Sequence, residues 1–286
     1  MTFKIALCII FRPMRNFESR IFEKLNLDET YRIAEKFLEQ EEIKIENFTD
    51  LYVKEDIEKD RQYVEEMEAK SNQKSSSEFR QSKKLATIFE AVLHSQVELN
   101  DWFGHHAITI KPSHFDHIKN GVDSIAEFQE PEKSASYFAL AIDATSSLDV
   151  QDKFDSIKRE IKQGELAKIK YFSSDYMNRR ELDKVPRVII CAEPEIVKEL
   201  GQLWVEKNNK ALEKHPIQFI ILKEILIECE IFKNYAKKVN QPEIAAIYEK
   251  SQKIVQEIYN EKQSLMTREE PYDDVLNAIR RNLKSL

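Results

Sequence analysis

Two aspartates twenty positions apart form the clearest chemical pattern in the sequence. Asp123 lies in the run 118–125 and Asp143 lies in the run 138–145, and both runs have strand-like composition. Side chains alternate along a strand, so neighbouring strands can bring the two carboxylates onto one hard cation. Such a Mg²⁺ site is suited to phosphodiester hydrolysis. The alternative interpretation is that each aspartate ends its strand and faces water.

Helical and strand periodicity around the pair predicts the elements that position it. Residues 82–99 predict an amphipathic helix, with Glu90 beside its apolar stripe. Residues 149–163 predict a second helix, residues 185–191 a buried strand, and Pro194 the start of another helix. The predicted order is helix, two or three strands, helix, strand, helix, which is an α/β arrangement.

This order, with an acid on the first helix and on each of two strands, resembles the PD-(D/E)xK phosphodiesterase superfamily over about residues 79–205. The resemblance implies a restriction-endonuclease-like mixed sheet flanked by helices. It also implies a metal-dependent nuclease that acts on DNA or RNA with Mg²⁺ or Mn²⁺. Glu90 matches the catalytic acid of the first helix, and Asp123 and Asp143 match the metal-binding catalytic pair. The segments Asn-Gly-Val-Asp, Ala-Ile-Asp-Ala-Thr and Val-Pro-Arg-Val are also similar to a group of bacterial proteins of unassigned activity.

The sequence departs from the superfamily motif at its lysine, because position 145 is Thr145. Members of the superfamily move this lysine to other elements, and Lys153 and Lys158 flank the apolar stripe of the helix that follows. We interpret Lys153 as the catalytic replacement, and Lys158 and His117 as substrate-binding residues. A lysine beside a helix stripe is also typical of an ordinary surface residue. The alternative is a degenerate nuclease fold that acts as a nucleic-acid-binding or protein-binding module.

A cluster of histidines supports a third hypothesis, a His-rich metallohydrolase that binds Zn²⁺ or Mn²⁺. Five of the six histidines fall within 24 residues. Glu90 lies one helical turn before His94, and Asp116 directly precedes His117. These histidines are His94, His105, His106, His114 and His117. The HxHxDH and HExxH spacings are absent, which weakens the hypothesis.

Charge is distributed unevenly along a chain whose formal net charge is −7. Residues 39–68 hold twelve acids and four bases, a net of −8, whereas residues 152–187 hold ten bases and seven acids, a net of +3. The basic excess coincides with the predicted nuclease core, as phosphate binding requires. We therefore expect the acidic region to lie near the cleft, where it restrains nucleic-acid access or engages a protein partner.

The chain is long enough for several packed regions, and we expect three. They are an acidic, mostly helical N-terminal region at 1–75, the α/β core at 76–210, and a helical region at 211–286 packed on the core. The serine-rich stretch 71–77 predicts the first linker. With four glycines and neither GxGxxG nor GxxxxGK, dinucleotide and P-loop folds are excluded. The three cysteines show no motif spacing, which favours reduced thiols in the cytoplasm. The sequence lacks an apolar run long enough to span a bilayer, so we expect no membrane contact.

Overall fold

The computed structural model describes residues 15–74, 76–129, 135–143, 151–175 and 178–263. Side chains are described from residue 26 onward, except at 71–75, 130–135, 139–150 and 176–177. Across these residues the chain is a mixed α/β protein with more helix than strand. The predicted N-terminal apolar segment and the predicted helix that begins at Pro271 lie outside the described residues.

Helices precede and follow a group of short strands along the chain. The helices are α1 (Arg15–Glu41), α2 (Lys54–Lys74), α3 (Ser77–Leu99), α4 (His114–Asn120), α5 (Gln151–Gln163), α6 (Pro194–Val205), α7 (Asn209–Glu213), α8 (Ile217–Lys238) and α9 (Pro242–Gln263), with a 3₁₀ turn at Ile45–Phe48. The strands are β1 (Ala107–Ile110), β2 (Ser124–Gln129), β3 (Ala135–Asp143), β4 (Ala167–Phe172), β5 (Arg180–Val185) and β6 (Arg187–Cys191). The helix predicted at 82–99 and the strand predicted at 185–191 are thus confirmed, the strand from Arg187 onward.

Four of the strands form one mixed sheet with the order β1-β2-β3-β6. β1, β2 and β3 pair antiparallel, whereas β3 and β6 pair parallel, with Asp143 opposite Cys191. A parallel pair needs a crossover connection, and here the chain between β3 and β6 contains α5 and the β4–β5 hairpin. The chain therefore runs from the end of β3 through α5 and the hairpin back to the start of β6.

The two faces of this sheet are buried under different elements. Ala126, Phe128 and Phe138 belong to the large apolar core that also contains α3, α8 and α9. Ile125 on the opposite face packs with Ile169, Phe172 and Leu182 of the hairpin. A third cluster joins the acidic region to the core, and its buried members are Phe48, Ile57, Val64, Phe115 and Tyr171.

Several local predictions are wrong for reasons visible in the capping residues. Residues 118–120 of the expected strand belong to α4, because Ser113 caps that helix and Gly121 ends it. Asp28 could have capped a helix by its residue type, but it lies within α1, where it forms an ion pair with Lys84 of α3 at 2.5 Å. The expected linker 71–77 is mostly helical, since α2 runs to Lys74 and Ser76 caps α3.

None of the helices in the described ranges is long and apolar enough to cross a bilayer.

Strand β6 is the last strand of the sheet, and two carboxylates of α8 bind the backbone N–H groups on its outer edge. The Glu228 Oε2 atom accepts from the Ile189 N–H at 2.8 Å, and the Glu224 Oε2 atom accepts from the Cys191 N–H at 3.3 Å. Both glutamates are fully buried. Burial raises the pKa of Glu228 well above its usual range, and the hydrogen bond from Ile189 only partly offsets this. The pairing satisfies strand donors that would otherwise be unpaired.

We expect Glu228→Gln to become more stable relative to the native protein as pH rises from 5 to 8. A carboxyl whose pKa is raised in the folded state binds its proton more tightly there, so the native protein loses stability as pH rises above the unfolded pKa. The glutamine keeps an acceptor for Ile189 and does not ionise. The difference in unfolding free energy should grow by at most about 1.4 kcal/mol per pH unit in urea titrations.

Glu230→Gln on the same helix is the matched control. Hydrogen bonds from Lys233 and Gln252 lower the pKa of Glu230 to about 2, so its carboxyl is ionised in both states above pH 5. Its stability difference from the native protein should stay constant from pH 5 to 8. If the difference in unfolding free energy between Glu228→Gln and the native protein also stayed constant, the pKa of Glu228 would not be raised in the folded state.

Candidate active site at the start of strand β2

Asp123 lies in a short turn between α4 and β2. The helix begins where the Ser113 Oγ atom accepts from the Asp116 N–H, and it ends where the Gly121 N–H donates to the His117 carbonyl. Gly121 has φ +61°, which L side chains rarely adopt, so glycine suits this position. The turn therefore delivers Asp123 directly before Ser124, the first residue of β2.

Arg187 at the start of β6 holds this turn from one side. Its Nη2 atom donates to the Asn120 carbonyl at 2.6 Å, and its Nη1 atom donates to the Gly121 carbonyl at 3.3 Å. Its Nη2 atom lies 3.5 Å from Glu160 of α5. Two of the sequence segments noted above, Asn-Gly-Val-Asp and Val-Pro-Arg-Val, are thus in direct contact.

Lys111, which directly follows β1, holds the turn from another side. Its Nζ atom lies 2.5 Å from the Glu90 Oε1 atom and donates to the Asp123 carbonyl at 3.2 Å. Both side chains of the ion pair are about nine-tenths buried. Sequence reasoning missed Lys111, although a lysine directly after an apolar strand and before Pro112 was an available signal.

Glu90 lies within this buried group of charges. Burial raises the pKa of Glu90, the Lys111 ammonium opposes that shift, and the Asp123 charge adds to it. The structure links Glu90 to the Asp123 backbone through Lys111, which lies between the Glu90 carboxylate and the Asp123 carbonyl.

His117 faces the other side of Asp123. Its Nδ1 atom lies 3.0 Å from the Asp123 Oδ1 atom, and its ring stacks on that of His114. The His114 Nε2 atom lies 2.8 Å from Glu68 of α2. One acidic residue of the N-terminal region, Glu68, thus approaches the turn through two histidines.

Asp116 has a structural role in the same helix. Its carboxylate accepts from the backbone N–H groups of Lys170 and Tyr171 at 2.8 and 3.0 Å, and from Asn120 Nδ2 at 2.8 Å. Because its oxygens are engaged in this way, Asp116 fixes α4 to β4.

A cleft of about 380 Å³ opens beside Asp123. Its described lining contains Lys153 and Arg159 from α5, together with Arg187 and Ile189 from β6. Lys153 and Asp123, which lie on separate elements, therefore share one cleft. Lys158 does not line it, being 8% exposed and 3.6 Å from Asp155.

Asp143 ends β3, one strand away from the Asp123 turn. Ser124, the first residue of β2, pairs with Leu140 of β3. The backbone of Asp143 lies three residues beyond Leu140, at the same end of the sheet as the Asp123 turn. Ala141, two residues before Asp143, pairs with Ile189 in the cleft wall. The side chain of Asp143 and the whole of Thr145 lie outside the described residues.

The histidines of the alternative hypothesis are distributed over separate environments. His94 is buried against the Phe37 ring, and burial together with the Lys111 charge lowers the pKa of His94 to about 4. His105 pairs with Asp101 at 2.8 Å, and His106 is exposed. Among the residues with described side chains, no group of three or more His, Cys, Asp or Glu residues is arranged to hold a metal ion.

No known protein family, functionally characterised protein or solved structure matches this chain. The interpretation of the site therefore depends on its own geometry.

We expect Gly121→Ala to lose about 1–2 kcal/mol of unfolding free energy, the cost of a left-handed backbone for an L residue. Its Cβ atom would also lie 3.3 Å from the Arg187 Nη1 atom. Gly164→Ala is the matched control, because Gly164 has φ +80° at the end of α5 and contacts only the flexible end of Gln241. Urea denaturation should show similar losses for both variants. Faster amide exchange at Asp123 and Ser124 should occur only in Gly121→Ala, and equal exchange in both would contradict the role of the turn.

Proposed function

We propose that the protein is a metal-dependent nuclease that hydrolyses phosphodiester bonds in DNA or RNA, with Mg²⁺ or Mn²⁺ as its cofactor. The observation that carries this proposal is the cleft that Asp123 and Lys153 line together, beside the strand that Asp143 ends. A carboxylate, an ammonium group and a neighbouring aspartate are the groups that phosphodiester hydrolysis uses.

The finer assignment of the core as a restriction-endonuclease-like, PD-(D/E)xK fold belongs to the same proposal. The order α3, β1, α4, β2, β3, α5, β4, β5, β6 supports it once α4 and the β4–β5 hairpin are taken as insertions. A sheet with three antiparallel strands and a fourth strand parallel to the third also supports it. Glu90 on α3, Asp123 at β2 and Asp143 at the end of β3 occupy the elements that the resemblance requires.

Each residue of the site has a proposed role. Asp123 and Asp143 supply hard oxygen donors, the ligand type that Mg²⁺ and Mn²⁺ prefer. An ion held there would supply a water of lowered pKa and relieve charge on the phosphate. Lys153 orients that water or the scissile phosphate from the α5 side of the cleft. His117 beside Asp123 is the proposed contact with substrate, whereas Lys158, which is 8% exposed and does not line the cleft, is assigned no such contact.

A specific observation favours a second candidate, a nuclease fold that binds nucleic acid or protein without cleaving it. The carboxylate of Glu90 is already paired with the Lys111 ammonium at 2.5 Å, and position 145 carries threonine. A binding module would keep the cleft and its cations while lacking the motif lysine.

The acidic region, residues 39–68, pairs with cations of the β4–β5 hairpin and of the segment before β5 that could otherwise bind the phosphates of a nucleic acid. Asp60 lies 2.5 Å from the Lys170 Nζ atom, and Asp50 lies 3.3 Å from the Arg179 Nη2 atom. We propose that this region competes with phosphate for the hairpin and α4, or presents its remaining acids to a protein partner.

Lys153→Ala and Asp143→Ala test the reaction. If Lys153 positions the water, its removal should lower metal-dependent cleavage by roughly 10²-fold while Mn²⁺ binding survives. Asp143→Ala should abolish both Mn²⁺ binding and cleavage, because it removes a ligand. Cleavage should be measured on single-stranded and duplex DNA and RNA, and metal binding by Mn²⁺ titration.

Lys158→Ala is the internal comparison for Lys153→Ala, since both remove one ammonium from α5. Its loss should be much the smaller of the two. Equal, mild losses would mean that both lysines only contact the phosphate backbone. Metal-independent binding with no cleavage by the native protein would favour the binding module.

Neutralising Asp50 and Glu68 tests the acidic region while retaining its apolar contacts. Deletion of residues 1–75 would expose Phe115 and Tyr171, so we prefer the variant Asp50→Asn/Glu68→Gln. It should bind nucleic acid roughly threefold or more tightly at low salt, with the gain lost at high salt. Asp56→Asn/Glu66→Gln is the matched control, because these acids pair with Lys59 and Lys70 within α2. The same gain in both variants would mean that affinity responds only to net charge, and would contradict the competition by Asp50 and Glu68.

A further inference from the structure

Two cations, the buried Lys111 and the partly buried Arg187, hold the backbone of the Asp123 turn from the end of β1 and the start of β6. Arg187 donates to the carbonyls of Asn120 and Gly121, and Lys111 donates to the carbonyl of Asp123 itself. Each cation has a carboxylate partner, Glu160 for Arg187 and Glu90 for Lys111. The Lys111 contact is the one made directly to the residue that the proposed reaction needs.

We infer that Lys111 is a positioning residue for Asp123, and that Glu90 is its counter-ion and not a metal ligand. This inference rests on the proposed nuclease function. It differs from the role that the resemblance assigns to Glu90, and it gives Lys111 a function that the sequence motif does not contain.

The location of the pair supports an indirect role. Neither Lys111 nor Glu90 belongs to the described lining of the cleft, whereas Asp123 does. The ammonium contacts Asp123 through its backbone carbonyl, so it fixes the main chain, while the Asp123 carboxylate contacts His117. Reactions that depend on electrostatic preorganisation are sensitive to small displacements of such a group.

The position of Glu90 also argues against metal ligation. Its Oε1 atom is 2.5 Å from an ammonium, and the side chain is only 9% exposed. A buried ammonium requires a carboxylate partner, since an unpaired buried charge is strongly destabilising. Glu90 meets that requirement for Lys111.

A purely structural ion pair would predict different results from a positioning pair. Replacing both partners of a buried ion pair with apolar residues often leaves stability unchanged, whereas removing one partner does not. The double variant Glu90→Leu/Lys111→Met therefore removes the contact to the Asp123 carbonyl without leaving a buried charge. We expect its urea midpoint to stay close to the native value.

In this double variant we expect kcat for cleavage to fall at least roughly 30-fold and the Mn²⁺ Kd to rise about tenfold. Amide exchange at Val122, Asp123 and Ser124 should become at least roughly tenfold faster, with β3 and β6 unchanged. Asp60→Asn/Lys170→Met is the matched control, because it likewise removes an ammonium 2.5 Å from an acid, here between β4 and α2. Its exchange rates at 122–124 should equal those of the native protein.

Native cleavage and native exchange in the stable double variant would overturn the positioning role. Glu90→Gln tests the second half of the inference and keeps the fold, because its amide oxygen still accepts from Lys111. Its Mn²⁺ Kd should stay within about threefold of the native value, and a loss of tenfold or more would make Glu90 a ligand and overturn the counter-ion role. If the native protein neither binds Mn²⁺ nor cleaves, the proposed function fails, and the exchange rates alone still decide whether Lys111 holds the turn.

Discussion

The turn from Asn120 to Asp123 is the constraint on which the rest of the site depends. Its carbonyl oxygens are held by Lys111 and Arg187, which come from the end of β1 and the start of β6. Each cation has a carboxylate partner, Glu90 of α3 for Lys111 and Glu160 of α5 for Arg187, and removing the partner of a buried cation is strongly destabilising. Four elements distant in sequence therefore meet at one turn, and a change in any of them alters the position of Asp123.

The topology of the sheet explains why the cleft forms beside this turn. Parallel pairing of β3 with β6 requires a crossover, and the crossover includes α5, whose first turns carry Lys153. Antiparallel pairing of β2 with β3 brings the start of β2 to the end of β3, where Asp143 lies. The same two pairings thus define the sheet and bring Asp123, Lys153 and the backbone of Asp143 to one end of it.

Elements with strong periodicity could be predicted from sequence, and short elements could not. The apolar stripe of α3 and the continuous apolar run of β6 define their own structure. The seven-residue α4 has too few residues for a periodic pattern, although Ser113 and Gly121 are its capping signals. The Lys111–Glu90 pair joins residues 21 positions apart across two elements, and no local pattern specifies such a contact.

The charge asymmetry of the sequence has a physical explanation in these contacts. The net charges of −8 at 39–68 and +3 at 152–187 are properties of two regions that face each other, because Asp60 pairs with Lys170 and Asp50 with Arg179. A basic excess that is paired internally contributes little to phosphate binding while those pairs persist. The cleft cations Lys153 and Arg159 lie beside Asp123 and outside these pairs with the acidic region.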